Sequence, residues 1–227
     1  MRIDKYLSDL KIERRSRVKN YLKSHEVWID GERIKTIDFN FDPKISELII
    51  DHELIPYIED MHIVLYKPEG YLSAHKDLMH QTIFSLLDQT LHRFDFKIAG
   101  RLDLDAEGLL ILTTDGKFVH EITHPKKHLD KVYEVILDQA FMDQEAMMKG
   151  IFVKDEFNEP YEAKAKNIEV NEHHVTLTID MGKFHQVKRM FEALGYHVIK
   201  LKRIKIGHLT LRDLKPGEYY QFGKEEL

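Results

Sequence analysis

Between Gly100 and Gly116 the chain reads Gly-Arg-Leu-Asp-Leu-Asp-Ala-Glu-Gly-Leu-Leu-Ile-Leu-Thr-Thr-Asp-Gly, and this stretch constrains the fold more than any other. The apolar run Leu109–Leu112 has to be buried. The glycine-bounded acidic segment in front of it therefore stands at the lip of a core, which is how a fold presents a carboxylate to a cleft. Asp103, Asp105 and Glu107 alternate, so an extended backbone would put all three on one face and a turn would fan them apart. Paired carboxylates are the signature of chemistry at a sugar anomeric carbon. The competing reading is a solvated acidic turn that leads into a strand.

Composition narrows the class. In 227 residues, 43% are hydrophobic and 32% charged, which fits a soluble globular protein built as one large domain or as a small one joined to a medium one. No apolar run approaches the roughly 20 residues of a membrane span. The leading residues Met1-Arg2-Ile3-Asp4-Lys5 lack an apolar signal region, so a cytoplasmic location is expected. There is no cysteine, which excludes disulfides, thiolate zinc sites and a cysteine nucleophile. The net charge of −5 argues against binding nucleic acid over the whole surface, yet the basic residues are clustered. Lys11, Arg14, Arg15, Arg17, Lys19 and Lys23 form one patch, and Lys183, Lys188, Arg189, Lys200, Lys202, Arg203 and Lys205 form another.

The hydrophobic pattern changes character along the chain. Ile3, Tyr6, Leu7 and Leu10, and then Val18, Tyr21 and Leu22, recur at helical spacing. Val27 and Ile29 lead into Asp30-Gly31, a hairpin turn signal, with Ile34 and Ile37 on the return. Residues 44–50 read as a further strand, and residues 51–60, interrupted by Pro56, as a linker. From His62 on, strands are expected at residues 63–66, 132–137, 161–169, 174–181 and 197–206. Helices are expected from Ile83 and over residues 184–194, the latter closed by Gly195. Without a regular βαβ repeat, the pattern predicts an α+β chain: a small leading domain over residues 1–58 and a larger one over 59–227 with a mixed, mainly antiparallel sheet flanked by helices.

His120, His124 and His128 recur every four residues, but Pro125 breaks the helix that would align them as metal ligands, and no phosphate-binding glycine loop is present. A lysine such as Lys188 in contact with a partly buried carboxylate would interact by on the order of 4 kcal/mol and keep it ionised.

Taken together, Gly100-Arg101-Leu102-Asp103, Gly108-Leu109-Leu110 and Thr114-Asp115-Gly116 resemble the central motif of the RsuA-like pseudouridine synthases. Lys67-Pro68-Glu69-Gly70 resembles the family's first motif. His124-Pro125-Lys126-Lys127-His128 through Lys131-Val132-Tyr133 resembles its tyrosine motif, and Gly182–Met190 its third. The leading segment is similar to the αL RNA-binding domain of the ribosomal small-subunit protein four type.

The resemblance implies a cofactor-free and metal-free isomerase that converts a specific uridine of 16S ribosomal RNA to pseudouridine; the expected partner is 16S RNA in a small-subunit assembly intermediate, with naked RNA left open, and a monomer is the default expectation. It assigns the chemistry to Asp103, the ionising partner to Lys188 and packing on a flipped-out base to Tyr133. RNA contacts are expected from Arg101, Lys67, His185, Gln186 and Arg189 around the site, and from Arg14, Arg15, Arg17 and Lys19 in the leading patch. Asp105 and Glu107 become surface acids. The rival readings are a large-subunit enzyme of the same family, a non-catalytic RNA-binding assembly factor, and a glycosidase that uses Asp103 with Glu107. The last would favour a tryptophan-rich cleft, whereas Trp28 is the sole tryptophan.

Overall fold

The computed structural model describes residues 1–57, 60–124 and 129–227. It divides into two units, Met1–Asp60 with Asp88–Asp95 and Met61–Leu87 with Phe96–Leu227. In this division a segment from the middle of the chain, Asp88–Asp95, clusters with the leading residues.

In the first unit, α1 (Ile3–Asp9) and α2 (Val18–Ser24) pack on an antiparallel sheet of β1 (Val27–Ile29), β2 (Glu32–Arg33), β3 (Leu48–Ile50) and β4 (Glu53–Ile55), ordered β2-β1-β3-β4. The helical spacing buries Ile3, Tyr6 and Leu7 from α1 and Val18 and Leu22 from α2 against Val27, Ile29, Leu48 and Ile50. Asp30 and Gly31 both take positive φ, 50° and 80°, as a two-residue hairpin turn requires. Two expectations need correction. The strand placed over residues 44–50 shortens to β3 because Asp42 turns the chain, its carbonyl accepting from Ile45 and Ser46 N–H and its carboxylate from Lys44 N–H. Most of the supposed linker is structured: Asp51 and His52 form a second positive-φ turn, and β4 returns along β3.

The second unit is built on a nine-stranded sheet. Its strands are β5 (His62–Lys67), β6 (Lys97–Ala99), β7 (Glu107–Thr113), β8 (Lys131–Leu137), β11 (Asn167–Asn171), β12 (His174–Ile179), β13 (Val198–Ile206), β14 (Leu209–Thr210) and β15 (Tyr219–Gln221). Between β8 and β11 come α4 (Gln144–Lys149) and a separate hairpin of β9 (Ile151–Lys154) and β10 (Pro160–Ala163). The single strand expected over residues 161–169 is therefore two strands in different sheets. The main order is β11-β12-β8-β13-β7-β5-β15, with β6 on β7 and β14 on β13, and every pairing is antiparallel except β13 with β7. Leu109, Leu110, Ile111 and Leu112 of β7 are fully buried, each stabilising by about 1.5–3 kcal/mol.

Helices cover two cores. α3 (Gly116–Thr123), capped by the Asp115 carboxylate on Lys117 N–H, inserts Phe118 and Ile122 beside Val64, Leu109 and Ile111. α5 (Gln186–Ala193) inserts Val187, Met190 and Phe191 beside Val135, Leu177 and Leu201. α5 begins later than its apolar pattern suggests because His185 is left-handed, at φ 51°. Gly195, at φ 87°, follows its end as expected.

One feature of the sheet positions the site. The same edge of β7 is shared by two strands: β13 pairs with Glu107 and Gly108, and β6 with Ile111, Leu112 and Thr113. The chain linking β6 to β7, residues 100–106, emerges where this edge changes partners.

Candidate active site

Leu109 lies in the gap between the two partners of β7, and its carbonyl accepts from Arg203 Nε at 2.8 Å instead of from a strand. The same guanidinium reaches the carbonyls of Gly100 at 2.8 Å and Arg101 at 3.4 Å, so one buried side chain ties the entry of the 100–106 loop to the strand that follows it. The close approach depends on Gly108. A Cβ there would lie 2.2 Å from the Arg203 carbonyl oxygen, and the residue sits at φ 113°.

Lys67 holds the other end of the loop. Its ammonium donates to the carbonyls of Pro68 at 3.0 Å, Leu104 at 3.4 Å and Ala106 at 2.6 Å, matching three N–H groups to three acceptors. Gly70 N–H adds a bond to the Leu104 carbonyl at 2.8 Å. Burial pushes the Lys67 ammonium down to about 8, against the opposing pull of Asp103, Asp105 and Glu69. Lys67 was expected to contact RNA; it is fully buried and supports the loop backbone instead. Between the two anchors, the Ser73 hydroxyl bonds both the carbonyl and the N–H of Leu102.

This frame presents Asp103 beside the start of α5. His185 Nε2 is 3.1 Å from Asp103 Oδ1, and Lys188 Nζ is 3.7 Å from Oδ2. Lys188 sits closer to Asp105, at 2.6 and 2.7 Å from its two oxygens. Asp105 is thus more than a surface acid: the hydrogen bond from Lys188 holds its carboxyl below the usual range despite partial burial. Glu107 faces elsewhere and accepts from Tyr66 Oη at 3.4 Å. Tyr133, on β8 between Leu177 of β12 and Arg203 of β13, is buried and lines the same pocket. Asp103, Arg101, Tyr133, Lys131, Lys183 and His185 surround a cavity of about 180 Å³. Within it, burial lowers the Lys131 ammonium, which donates to the Leu129 carbonyl at 2.8 Å.

Other site expectations divide. Gln186 is 3% exposed; its Oε1 accepts from Lys183 N–H and its Nε2 donates to Met190 Sδ, so it shapes the turn into α5 while also lining the pocket. Arg189 donates to the Lys154 carbonyl at 2.6 Å and lies over the Phe184 ring. In the first unit, Arg14, Arg15, Arg17 and Lys19 are all exposed, and Arg15 also bonds the buried Asp4 carboxylate at 3.0 Å. Residues 125–128 of the tyrosine motif lie outside the described residues. Among the described residues, no three His, Asp or Glu side chains gather into a metal-binding group. Arg203 and Ser73 were missed as site residues. Arg203 reads as one more charge in a basic strand, and an isolated serine gives no signal at all.

Residues 61–193 match the family model described as RNA pseudouridylate synthase, more than half of the chain. The chain belongs to that family. As a pseudouridine synthase it is an isomerase that converts uridine in RNA to pseudouridine. An uncharacterized RNA pseudouridine synthase, YtzG, of Bacillus subtilis (strain 168) is 37% identical over 231 residues, covering 100% of this chain and 97% of its own length. Ribosomal small subunit pseudouridine synthase A of Escherichia coli (strain K12) is 34% identical, covering 100% and 98%. A crystal structure of a pseudouridylate synthase superimposes with a TM-score of 0.67 at 35% identity, covering 100% and 97%. Among the described residues, no helix of this pseudouridine synthase is long and apolar enough to cross a membrane.

Proposed function

We propose that this pseudouridine synthase modifies a uridine of 16S ribosomal RNA in a small-subunit assembly intermediate, with Asp103 as the reacting carboxylate. Support for the target comes from full-length relatives named ribosomal small subunit pseudouridine synthase A, at 34% and 37% identity. Support for Asp103 comes from one observation: it is the carboxylate of the 100–106 loop that lines the pocket together with Tyr133 and His185, while Lys188 approaches it from α5.

The reaction breaks the bond between ribose C1′ and uracil N1 and forms one between C1′ and C5. The C5 proton is lost and N1 gains one, so no oxidant or co-reactant is consumed. Asp103 serves either by attacking C1′ or by promoting a glycal, and both routes need an ionised carboxylate held at the sugar. The base has to leave its stack to enter the cavity, at a cost of a few kcal/mol, and stacking on Tyr133 returns roughly 1–3 kcal/mol. Arg101 at the rim holds the flipped nucleotide. The leading unit acts as an αL-type RNA-binding domain over residues 1–58, in which Arg14, Arg17 and Lys19 follow phosphates without reading sequence.

The test is incubation with small-subunit precursor particles and with naked 16S and large-subunit RNA, followed by chemical mapping of pseudouridine. Modification at one small-subunit uridine is expected, and Asp103→Ala should abolish it. Modification confined to large-subunit RNA would sink the target assignment, and persistence in Asp103→Ala would sink the role of Asp103.

A further inference from the structure

Arg203 and Lys67 fix the ends of the 100–106 loop, but the residue next to Asp103 is gripped by a small hydroxyl. Ser73 follows the Lys67–Gly70 turn and is 6% exposed. Its Oγ donates to the Leu102 carbonyl at 2.7 Å and accepts from Leu102 N–H at 3.2 Å. A hydroxyl has one donor and two lone pairs, so one serine satisfies both backbone groups of one residue. Leu102 is itself buried, so water does not substitute easily for either bond.

The Leu102 carbonyl belongs to the peptide that joins Leu102 to Asp103, and the Leu102 N–H belongs to the peptide before it. Pinning both planes leaves little freedom in the backbone from which the Asp103 Cβ projects. Ser73 is in turn held by its own segment. Leu72 N–H bonds the Gln81 carbonyl at 2.9 Å, and the Leu72 carbonyl accepts from Ala74 N–H at 2.9 Å and Ile83 N–H at 3.1 Å. The hydroxyl is therefore mounted on a closed loop, and among the described residues its side-chain bonds go to the backbone that carries Asp103.

We infer that Ser73 is a positioning residue for the reaction: its hydroxyl locks the peptides flanking Leu102 and so aims the Asp103 carboxylate at the ribose. The inference rests on the reading of Asp103 as the reacting carboxylate. Serine-to-alanine removes a single oxygen, so the consequence stays local. Leu102 regains rotational freedom, while Ser73 itself is not among the residues that line the pocket.

Ser73→Ala, Ser73→Thr and Asp103→Asn are compared with wild type for pseudouridine formation in ribosomal RNA, at saturating and at limiting RNA. Ser73→Ala is expected to lower kcat roughly 10- to 100-fold, as small displacements of a reacting group do, with KM held within about twofold. Ser73→Thr, which restores the hydroxyl, should recover most of the rate. A wild-type kcat in Ser73→Ala overturns the inference, as does a loss that Ser73→Thr fails to relieve. An inert Asp103→Asn beside a fully active Ser73→Ala refutes this inference alone, whereas activity in Asp103→Asn refutes the reading of Asp103 and the inference with it. Should Ser73→Ala fail to fold, hydrogen exchange at the Leu102 amide of the wild-type protein decides. Exchange as slow as in the core strands supports the bond, and exchange as fast as in exposed loops overturns it.

Discussion

Lys67 offers a perturbation whose size follows from the structure. A fully buried ammonium that titrates at about 8, against an ordinary value of 10.5, is bound less tightly by its proton in the folded than in the unfolded chain. Below pH 8 both states are protonated, and the folded state bears the whole cost of burying the charge. As pH rises through 8 the folded protein releases the proton while the unfolded chain keeps it until about 10.5, so unfolded molecules bind more protons and stability increases with pH across that window.

Other lysines and tyrosines titrate in the same range, so the measurable quantity is a difference. Lys67→Met keeps a linear side chain of similar length and removes the titrating group. Between about pH 7 and about pH 9.5 the unfolding free energy of wild type should gain about 2 kcal/mol on that of Lys67→Met, at 1.36 kcal/mol per unit of pKa difference integrated over the window. Urea unfolding at the two pH values measures it, with the m-value checked for constancy. A difference between the two proteins that stays flat with pH would refute the argument. It would mean that the three carbonyl bonds of Lys67 compensate its burial and that the loop is held by an ordinary lysine.

Two further outcomes are expected. Gly108→Ala should destabilise by about 3 kcal/mol or more, since a Cβ would meet the fixed Arg203 backbone at 2.2 Å and the residue sits at φ 113°; a loss below about 0.5 kcal/mol in denaturant unfolding would show that β7 and β13 can separate freely. In Lys188→Met the Asp105 carboxyl, now held low by the lysine, should titrate at a higher pH, back toward 3.8, as followed by carbon NMR of the carboxyl. An unmoved Asp105 titration would mean that Lys188 is not its partner in solution. In sign, the Asp105–Lys188 pairing stabilises above the ordinary carboxylate range and is lost as pH falls through the lowered folded value.

Much of the fold was legible because it depends on local periodicity. Helical spacing located α1 and α2, Asp30-Gly31 located the first hairpin, and the run Leu109–Leu112 marked a buried segment, which the structure makes part of β7. What was missed depends on contacts between distant parts of the chain. The β9–β10 hairpin leaves the main sheet although its residues continue the apolar pattern into β11, and the clustering of Asp88–Asp95 with the leading residues has no local signal. Lys67 was expected to contact RNA from its place in the first motif of the resemblance. The structure instead uses it to satisfy the carbonyls of Pro68, Leu104 and Ala106 at the loop.

The alternation of Asp103 and Asp105 shows where such reasoning stops. Spacing gives two acids within reach of one cation, and it cannot rank them. The ranking is set far along the chain, where left-handed His185 delays the first turn of α5. His185 Nε2 then lies on Asp103 Oδ1 and Lys188 Nζ between both carboxylates, nearer to Asp105. Asp105 is the more exposed of the two, with its side chain 66% accessible against 25% for Asp103, so its pairing with Lys188 is the one water weakens more. The lysine itself, 16% accessible, is held between the two anions. A lysine shared in this way supplies positive potential to Asp103 from 3.7 Å while it makes its short contacts to Asp105.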